Sequence, residues 1–237
     1  MKRLHIQCLA FNTADFVFDA ISLFEKQKGN YPIVSKVLYN PKYPLSEEPK
    51  HSARLMEIAE NFGFEYVEIK NLGVSENWNQ ALKNKFLSDG DVLVGIDPDE
   101  RPQQVGWLDS LMEVFNNEPS AYYVGLNQKG NPSNYTEMKF GNTSALKYSQ
   151  LIAWPVGGFD CGWLEKIGGA SQDHPVYGYI EHSISRKASA LGGNFYILKD
   201  FFDIHQESPD DLLGKWKREC AAIKTNLTFE GWLNARR

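Results

Sequence analysis

One short segment in the middle of the chain, D-V-L-V-G-I at 91–96, is apolar at nearly every position after its first residue. A strand that packs on one face alternates polar and apolar side chains, whereas a strand covered on both faces carries an almost continuous apolar run. The segment therefore predicts a central strand of a sheet with helices on both sides.

Strand and helix patterns alternate through the first half of the chain, which predicts an α/β fold with a mostly parallel sheet. Asn12 and Thr13 are suitable caps for a first helix, and glycines follow the helical patterns as stop signals. Strands are predicted at 4–11, 31–39, 64–69 and 91–96. Helices are predicted at 14–28, 54–61 and 76–87, with a proline-rich loop, 41–49, before the second of them.

The second half shows less regular patterns. Strands are predicted at 121–126, 136–140 and 195–198. Helices are predicted at 162–167, 179–190 and 210–230. With 237 residues and neither a linker nor a repeat, the chain is predicted to form one domain.

Composition and charge exclude several classes of protein. A net charge of -5 provides no general basic surface for nucleic acid. Cys8, Cys161 and Cys220 show no C-x-x-C spacing, so a disulfide framework and a thiolate zinc site are both unexpected, and reduced thiols in the cytoplasm are expected. The N-terminus is unlike a signal peptide, and no apolar run has 18 residues, so any membrane association, at the inner face, is expected to be peripheral.

An acidic tetrapeptide, D-P-D-E at 97–100, directly follows the predicted central strand. Ligands of open α/β sheets bind beyond the carboxyl ends of the strands, which favours Asp97 and Asp99 as site residues. Mg²⁺ and Mn²⁺ are commonly held by one or two carboxylates together with substrate phosphates. A solvated turn is the other interpretation of the same tetrapeptide.

Three segments in order resemble the GT-A-fold glycosyltransferases, particularly the large family two. The segment D-V-L-V-G-I-D-P-D-E-R-P at 91–102 resembles their strand and D-x-D motif. N-L-G-V-S-E-N-W-N-Q-A at 71–81 resembles their N-x-G segment, and 157–169 resembles their acceptor-side stretch that ends in I-G-G. The resemblance covers roughly 4–206. It implies a single GT-A-type (Rossmann-like) domain with helices on both faces and a smaller acceptor-side strand region.

The resemblance also divides the chain and implies an activity. It implies a nucleotide-binding half at about 1–100, an acceptor-binding half at about 101–206, and a C-terminal helical extension at about 207–237. The implied reaction moves a sugar from a nucleotide-sugar, with a UDP-sugar expected first, to a hydroxyl acceptor such as a glycan, polysaccharide or lipid-linked sugar. A divalent ion, Mn²⁺ or Mg²⁺, and inversion at the anomeric carbon are expected with it.

Site residues follow from the matched positions. The implied metal ligands are Asp97, Asp99 and His205. The implied nucleotide-binding residues are Asn12, Thr13 and Asn79, together with the two aspartates.

The general base is expected near the start of the helix at 179–190. Matching the helix places Glu181 where the family has its catalytic Asp, and Ile180 where the family has a Glu. His182 is the alternative base, because its imidazole titrates near neutrality, but its side chain points about 100 degrees away from that of its neighbour.

Two departures from the family keep other functions open. Tyr39-Asn40-Pro41 stands where the family has an Asp that touches the nucleobase, so the base of the donor is not fixed by sequence. Together with Ile180, this departure leaves open a non-catalytic nucleotide-sugar-binding protein. A sugar-phosphate nucleotidyltransferase would need a glycine-rich phosphate loop, and N-T-A-D at 12–15 does not provide one.

Overall fold

The computed structural model describes residues 1–10, 13–42, 49–70, 79, 83, 90–129, 131, 133–148, 156–169, 180–206, 215–216, 219 and 229–235. These residues form one sheet with helices on both faces. The strands are β1 (Arg3–Leu9), β2 (Ile33–Lys42), β3 (Glu65–Lys70), β4 (Asp91–Ile96), β5 (Glu100–Pro102), β6 (Ala121–Gln128), β7 (Tyr135–Phe140), β8 (Thr143–Tyr148), β9 (Gly157–Asp160) and β10 (Asn194–His205). The helices are α1 (Ala14–Gln27), α2 (Pro49–Phe62), α3 (Trp107–Asn117), α4 (Cys161–Lys166), α5 (Ile180–Ala190) and α6 (Phe229–Asn234).

The parallel strands of the sheet end at one edge. The spatial order is β3-β2-β1-β4-β9-β6-β10-β8-β7, with β5 paired to β10. The pairings make seven of the ten described strands run the same way as β1, and only β5, β8 and β9 run against it. The carboxyl ends of β1, β4, β6 and β10 therefore lie at one edge of the sheet, where ligands of such folds bind.

Apolar side chains cover the sheet on both faces, as the composition of β4 predicts. One face packs against α1, α2 and α3 through Phe24, Ile58 and Trp107, all at most 1% exposed. On the opposite face of the second half, Trp163 of α4 and Ile184 of α5 pack against Phe195 of β10. Since both faces are covered, the central strands have no polar face, which explains the near-continuous apolar run at 91–96.

Strand β9 runs between β4 and β6 at the centre of the sheet. A Cβ atom added to Gly157 would lie 2.5 Å from both Tyr123 Oη and the Val124 carbonyl oxygen. One added to Gly158 would lie 2.8 Å from Val94 Cγ2. The two glycines therefore permit the close packing of side chains and backbone around this antiparallel strand.

Most predicted elements of the described residues are present, with shifted bounds. β2 continues through Pro41 to Lys42, into the predicted loop. The last residue of β2 that pairs with β1 is Tyr39, so Pro41 lies beyond that pairing and its missing amide is tolerated. α2 begins at Pro49, five residues before the predicted start. Of the predicted helix at 76–87, only Asn79 and Lys83 are described, and both are helical. The predicted helix at 210–230 lies almost wholly outside the described residues.

No helix among the described residues combines the length and the apolar character that a membrane crossing requires.

Candidate functional site

The acidic tetrapeptide forms a tight turn at the end of β4. The Glu100 amide donates to the Asp97 carbonyl oxygen at 3.1 Å, and Pro98 occupies the second position, which its fixed φ favours. Asp97 is exposed, Asp99 is half-buried, and Pro98 and Glu100 are buried. The turn thus presents the two aspartates toward the carboxyl edge of the sheet while it is anchored through the residues next to them.

Strand pairing brings His205 to this turn. β5 continues directly from the turn and pairs antiparallel with the end of β10, which places His205 opposite Glu100. The Gln206 amide also donates to the Asp99 carbonyl oxygen at 2.6 Å. The structure therefore joins the D-x-D segment and the late histidine, which are more than 100 positions apart in sequence, through the backbone of two strands.

Four carboxyl groups interact electrostatically around the turn. Burial raises the pKa of Glu100 to about 11, and a hydrogen bond with Asp203 and the negative charges of Asp203, Asp97 and Asp99 act in the same direction. These effects favour a Glu100 carboxyl that keeps a proton in its hydrogen bond with Asp203. The charges of Asp97 and Asp99 also reach buried Cys8 at the end of β1, where they add to the effect of burial in raising the pKa of the thiol. The two aspartates thus lie near each other and near the ends of both β1 and β4.

Arg101 holds the turn to helix α1. Its Nη1 donates to the carbonyl oxygens of Pro98, at 2.6 Å, and Glu100, at 2.8 Å. Its guanidinium also lies over the ring of Phe16, 5.6 Å from the centroid. One side chain therefore connects the backbone of the acidic turn to the first helix.

Two predicted nucleotide-side residues are described. Thr13 is the N-cap residue of α1 with extended backbone, at φ -63 and ψ 153. Asn79 is helical and only 8% exposed. A Cβ atom on Gly169 would lie 2.7 Å from Asn79 Oδ1, so the N-x-G segment and the I-G-G turn meet at this contact. Asn12 lies outside the described residues.

The residues that replace the family's base-contacting Asp are buried. Tyr39 is 1% exposed and Asn40 is 0% exposed. Asn40 Nδ2 donates to Tyr66 Oη at 2.9 Å and to Ser52 Oγ at 3.3 Å, so its amide ties β2 to β3 and α2. In this conformation the Asn40 side chain is a buried packing element.

The helix of the predicted base begins where the sequence places it. α5 starts at Ile180, and only three residues separate its end from β10. Because β10 begins at the amino edge of the sheet, the start of α5 lies on the side of the carboxyl edge. Ser185 fixes it there, because its Oγ accepts a hydrogen bond from Tyr122 Oη at 2.8 Å in a buried position. The side chains of Glu181 and His182 lie outside the description, so the choice between them stays a prediction.

The donor set at the turn suits a hard divalent ion. Asp97 and Asp99 offer carboxylate oxygens, and the half-exposed His205 offers an imidazole nitrogen. Within the described ranges, no three Asp, Glu, His or Cys side chains are already gathered as a metal cluster. The residues fit an ion that takes one or two carboxylates and an imidazole from the protein and completes its shell with substrate phosphates and water.

Sequence reasoning missed four residues that build this site: Glu100, Arg101, Gln128 and Asp203. Glu100 and Arg101 follow the motif directly, so their position next to Asp99 was an available signal. Gln128 and Asp203 lie at the ends of β6 and β10, and only the strand order brings them to Glu100. No local pattern in the sequence indicates that contact.

Comparison with known proteins shows the fold. No protein-family model and no curated protein sequence matches the chain. Among solved structures it is similar to the "Crystal structure of GalNAc-T7 with UDP, GalNAc and Mn2+", with a TM-score of 0.66 over 97% of this chain and 10% sequence identity. The chain spans about half, 52%, of the length of that structure's chain. The similarity confirms the predicted GT-A-type fold.

Proposed function

We propose that this protein transfers a sugar from a nucleotide-sugar, with a UDP-sugar as the first candidate, to a hydroxyl acceptor in the presence of a divalent metal ion. One observation carries the proposal: β5 and β10 bring His205 to the acidic turn that follows the central strand. The sheet on which they do so is similar to that of a protein solved with UDP, GalNAc and Mn2+.

Asp97, Asp99 and His205 are the residues proposed to hold Mn²⁺ or Mg²⁺. When bound, such an ion supplies positive charge that stabilises a leaving diphosphate. The turn contributes rigidity, because the amides of Glu100 and Gln206 and the Arg101 guanidinium fix its backbone before any ligand arrives. Preorganised ligands need little rearrangement when substrate binds.

The nucleotide is proposed to bind along the ends of β1 and β4, in the half at about 1–100. Thr13 lies at the amino end of α1, where backbone amides favour a phosphate or a polar nucleoside group. Asn12 and Asn79 complete the proposed nucleotide-binding set. Burial of Asn40 supports recognition of the base by residues other than the position that the family uses.

Glu181 is proposed as the general base, with His182 as the alternative. The base takes the proton of the acceptor hydroxyl while that oxygen forms a bond to the anomeric carbon. The bond from the anomeric carbon to the diphosphate oxygen breaks in the same step, and its electron pair leaves with the nucleoside diphosphate. Attack from the face opposite the leaving group inverts the anomeric centre, which is also the outcome expected of a family-two-like enzyme.

The proposed acceptor-binding half covers about 101–206, and a proposed helical extension covers about 207–237. A cytoplasmic location, with peripheral contact to the inner face of a membrane, is supported by two buried thiols, Cys8 and Cys161, which are free cysteines.

A thermal-shift screen tests the donor and the metal without knowledge of the acceptor. UDP-, GDP- and dTDP-sugars are added with Mn²⁺, with Mg²⁺ or with EDTA, since a ligand that binds the folded state raises the Tm. We expect stabilisation by a UDP-sugar that requires the metal and is lost in Asp99→Asn. Asp200→Asn, the same change at an exposed carboxylate of β10, is the matched control and should keep the shift.

Turnover is then measured as nucleoside diphosphate release, with and without candidate sugar acceptors. We expect Glu181→Gln to lower turnover by roughly 10²- to 10⁴-fold with little effect on donor binding. The anomeric configuration of the product, read by NMR coupling constants, tests inversion. Unchanged turnover in both Asp99→Asn and Glu181→Gln would show the proposed mechanism to be wrong.

A non-catalytic nucleotide-sugar-binding protein is the second candidate. The burial of Asn40 and the replacement of the family's acidic residue by Ile180 favour it. It predicts metal-dependent binding of a nucleotide-sugar with no release of nucleoside diphosphate under any acceptor.

A further inference from the structure

We infer that Glu100 is a positioning residue that fixes the ring orientation and the tautomer of His205, so that Nε2 is the nitrogen presented to the metal ion. This inference rests on the proposed function, since it assigns a role within the same site. It concerns a residue that contacts neither substrate nor metal and acts through the histidine.

The contact is direct and is set by strand register. His205 and Glu100 are paired residues of β10 and β5, so their side chains lie side by side on one face. His205 Nδ1 lies 3.0 Å from Glu100 Oε1. The Glu100 side chain is 8% exposed, whereas that of His205 is 54% exposed. The buried partner is therefore the fixed one, and the exposed imidazole is the one that is oriented.

Glu100 is itself held from the other side. Gln128 Nε2, at the end of β6, lies 3.3 Å from Glu100 Oε2 and 3.2 Å from Asp203 Oδ2. The Val156 amide donates to the same Asp203 oxygen at 3.4 Å. The Glu100 carboxyl thus belongs to a network that joins β5, β6 and β10, and it has little freedom to follow a moving histidine.

The hydrogen bond determines which imidazole nitrogen carries the proton. A neutral imidazole has one donor nitrogen and one acceptor nitrogen. The carboxyl proton of Glu100 lies in its hydrogen bond with Asp203, which leaves Glu100 Oε1 as the acceptor beside Nδ1, and an acceptor there keeps the imidazole proton on Nδ1. Nε2 then carries the free lone pair, on a side chain that is 54% exposed and accessible to a metal ion. Metal-ligating histidines generally donate their other N–H to a carboxylate or carbonyl oxygen, which fixes their tautomer and orientation.

An ordinary ion pair between a charged histidine and a carboxylate is the competing interpretation of the same distance. It predicts a proton on each imidazole nitrogen, whereas the inferred hydrogen bond leaves Nε2 without one. The two interpretations differ in the protonation of Nε2, which ¹⁵N chemical shifts report directly.

Two substitutions of Glu100 distinguish the effect of its hydrogen-bond acceptor from the effect of its side-chain size. Glu100→Gln keeps an oxygen that accepts from Nδ1, whereas Glu100→Met keeps a similar length and removes the acceptor. Glu137→Met, at an exposed glutamate of β7 that pairs with Lys199, is the matched control. The His205 signals are assigned by their loss in His205→Gln.

The first readout is the tautomer in metal-free protein at pH 8. We expect an unprotonated Nε2 and a protonated Nδ1 in the wild type, in Glu100→Gln and in Glu137→Met. In Glu100→Met we expect the shifts to move toward the mixture of tautomers found for free imidazole. A wild-type His205 that carries its proton on Nε2, or on both nitrogens, overturns the inference even if Glu100→Met does not fold.

The second readout is the Kd for Mn²⁺ in the presence of UDP, measured by electron paramagnetic resonance. We expect Glu100→Gln to bind as the wild type does and Glu100→Met to bind about 10- to 100-fold more weakly. Equal affinity and an equal tautomer in folded Glu100→Met overturn the inference while the proposed function stands. Absence of Mn²⁺ binding by the wild type overturns the metal part of the proposed function, and this result is distinguishable because the tautomer is measured without metal.

Discussion

The amide of Gln206 donates to the carbonyl oxygen of Asp99 at 2.6 Å, which ties the residue after the last strand to the second aspartate of the acidic turn. Together with the pairing of His205 and Glu100, it makes the turn and the end of β10 one hydrogen-bonded unit. The geometry of the proposed metal ligands therefore depends on a backbone hydrogen bond, which a sequence motif made of side chains does not indicate.

Removal of this backbone donor should loosen the turn. Gln206→Pro lacks the amide proton, and we expect it to lower the unfolding free energy by about 1 kcal/mol, the usual contribution of one hydrogen bond, and to weaken Mn²⁺ binding. Gln206→Ala keeps the amide and should match the wild type in both measurements. Urea denaturation and a Mn²⁺ titration check this, and equal Mn²⁺ affinity in the two variants would contradict it.

The close packing around β9 should make Gly157 intolerant of a side chain. We expect Gly157→Ala to destabilise by about 3 kcal/mol, since its Cβ meets the Val124 carbonyl oxygen and the Gly125 Cα atom, which are backbone and cannot rotate away. Gly192→Ala is the comparison, because Gly192 has φ +86 but nothing within 4 Å. Its destabilisation should be smaller, about 1 kcal/mol from backbone strain alone. Urea denaturation of both variants measures the difference, and the reverse ranking would show that β9 can move.

An ion-pair network that links α1 to β2 should make stability depend on pH. Glu25 bonds Lys28 Nζ at 2.6 Å and Lys36 Nζ at 2.8 Å. Burial raises the pKa of Glu25, but the hydrogen bonds and charges of the two lysines outweigh it, so the pKa in the fold lies below its ordinary value of 4.5. A carboxyl of this kind stabilises the fold above its unfolded pKa, and the stabilisation is lost as pH falls through the lowered folded pKa.

Glu25→Gln should therefore be less stable than the wild type at pH 7, by about 1 kcal/mol or less, and the difference should shrink as pH falls below 4.5. Glu57→Gln serves as control, because Glu57 is exposed and forms a salt bridge with Arg54 on the same helix. Urea denaturation across this pH range tests the prediction. A constant difference between Glu25→Gln and the wild type would mean that the loss of stability comes from packing.

The buried hydroxyl pair of Tyr122 and Ser185 should control the position of α5. A double-mutant cycle with Tyr122→Phe and Ser185→Ala should give a coupling energy of about 1 kcal/mol. If Glu181 is the base, the single variants should lower kcat several-fold and leave the KM for the donor unchanged, because only the acceptor-side helix shifts. A change in the donor KM with constant kcat would instead place this pair on the donor side.

The sequence predicts the first half of the fold well because each local pattern there agrees with the final structure. Buried helices and strands with clear caps and stops, such as α1 and β4, appear within one residue of their predicted bounds. Helix α3 is not among the predicted helices, although Trp107, Leu111 and Phe115 recur at helical spacing and share one buried face.

The second half is harder to predict for physical reasons. β9 contains two adjacent glycines, which lower strand propensity, and it is a strand only because β4 and β6 lie on both sides of it. β10 continues to His205 through charged and polar residues such as Asp200 and Asp203, where alternation is weak and pairing with β5 and β6 decides the structure. The buried carboxyl of Glu100 depends on the same long-range pairing.

The long strand β10 has a consequence for how the molecule can be divided. Its first part pairs with β6 and β8, and its last part pairs with β5, the strand that extends from the acidic turn. A cut of the chain near residue 100, at the sequence boundary between the two proposed halves, would separate β4 from its neighbour β9 and the turn from the strand that holds it. Neither fragment would contain a complete site, so the donor and acceptor halves are expected to be inherited, exchanged and engineered as one unit.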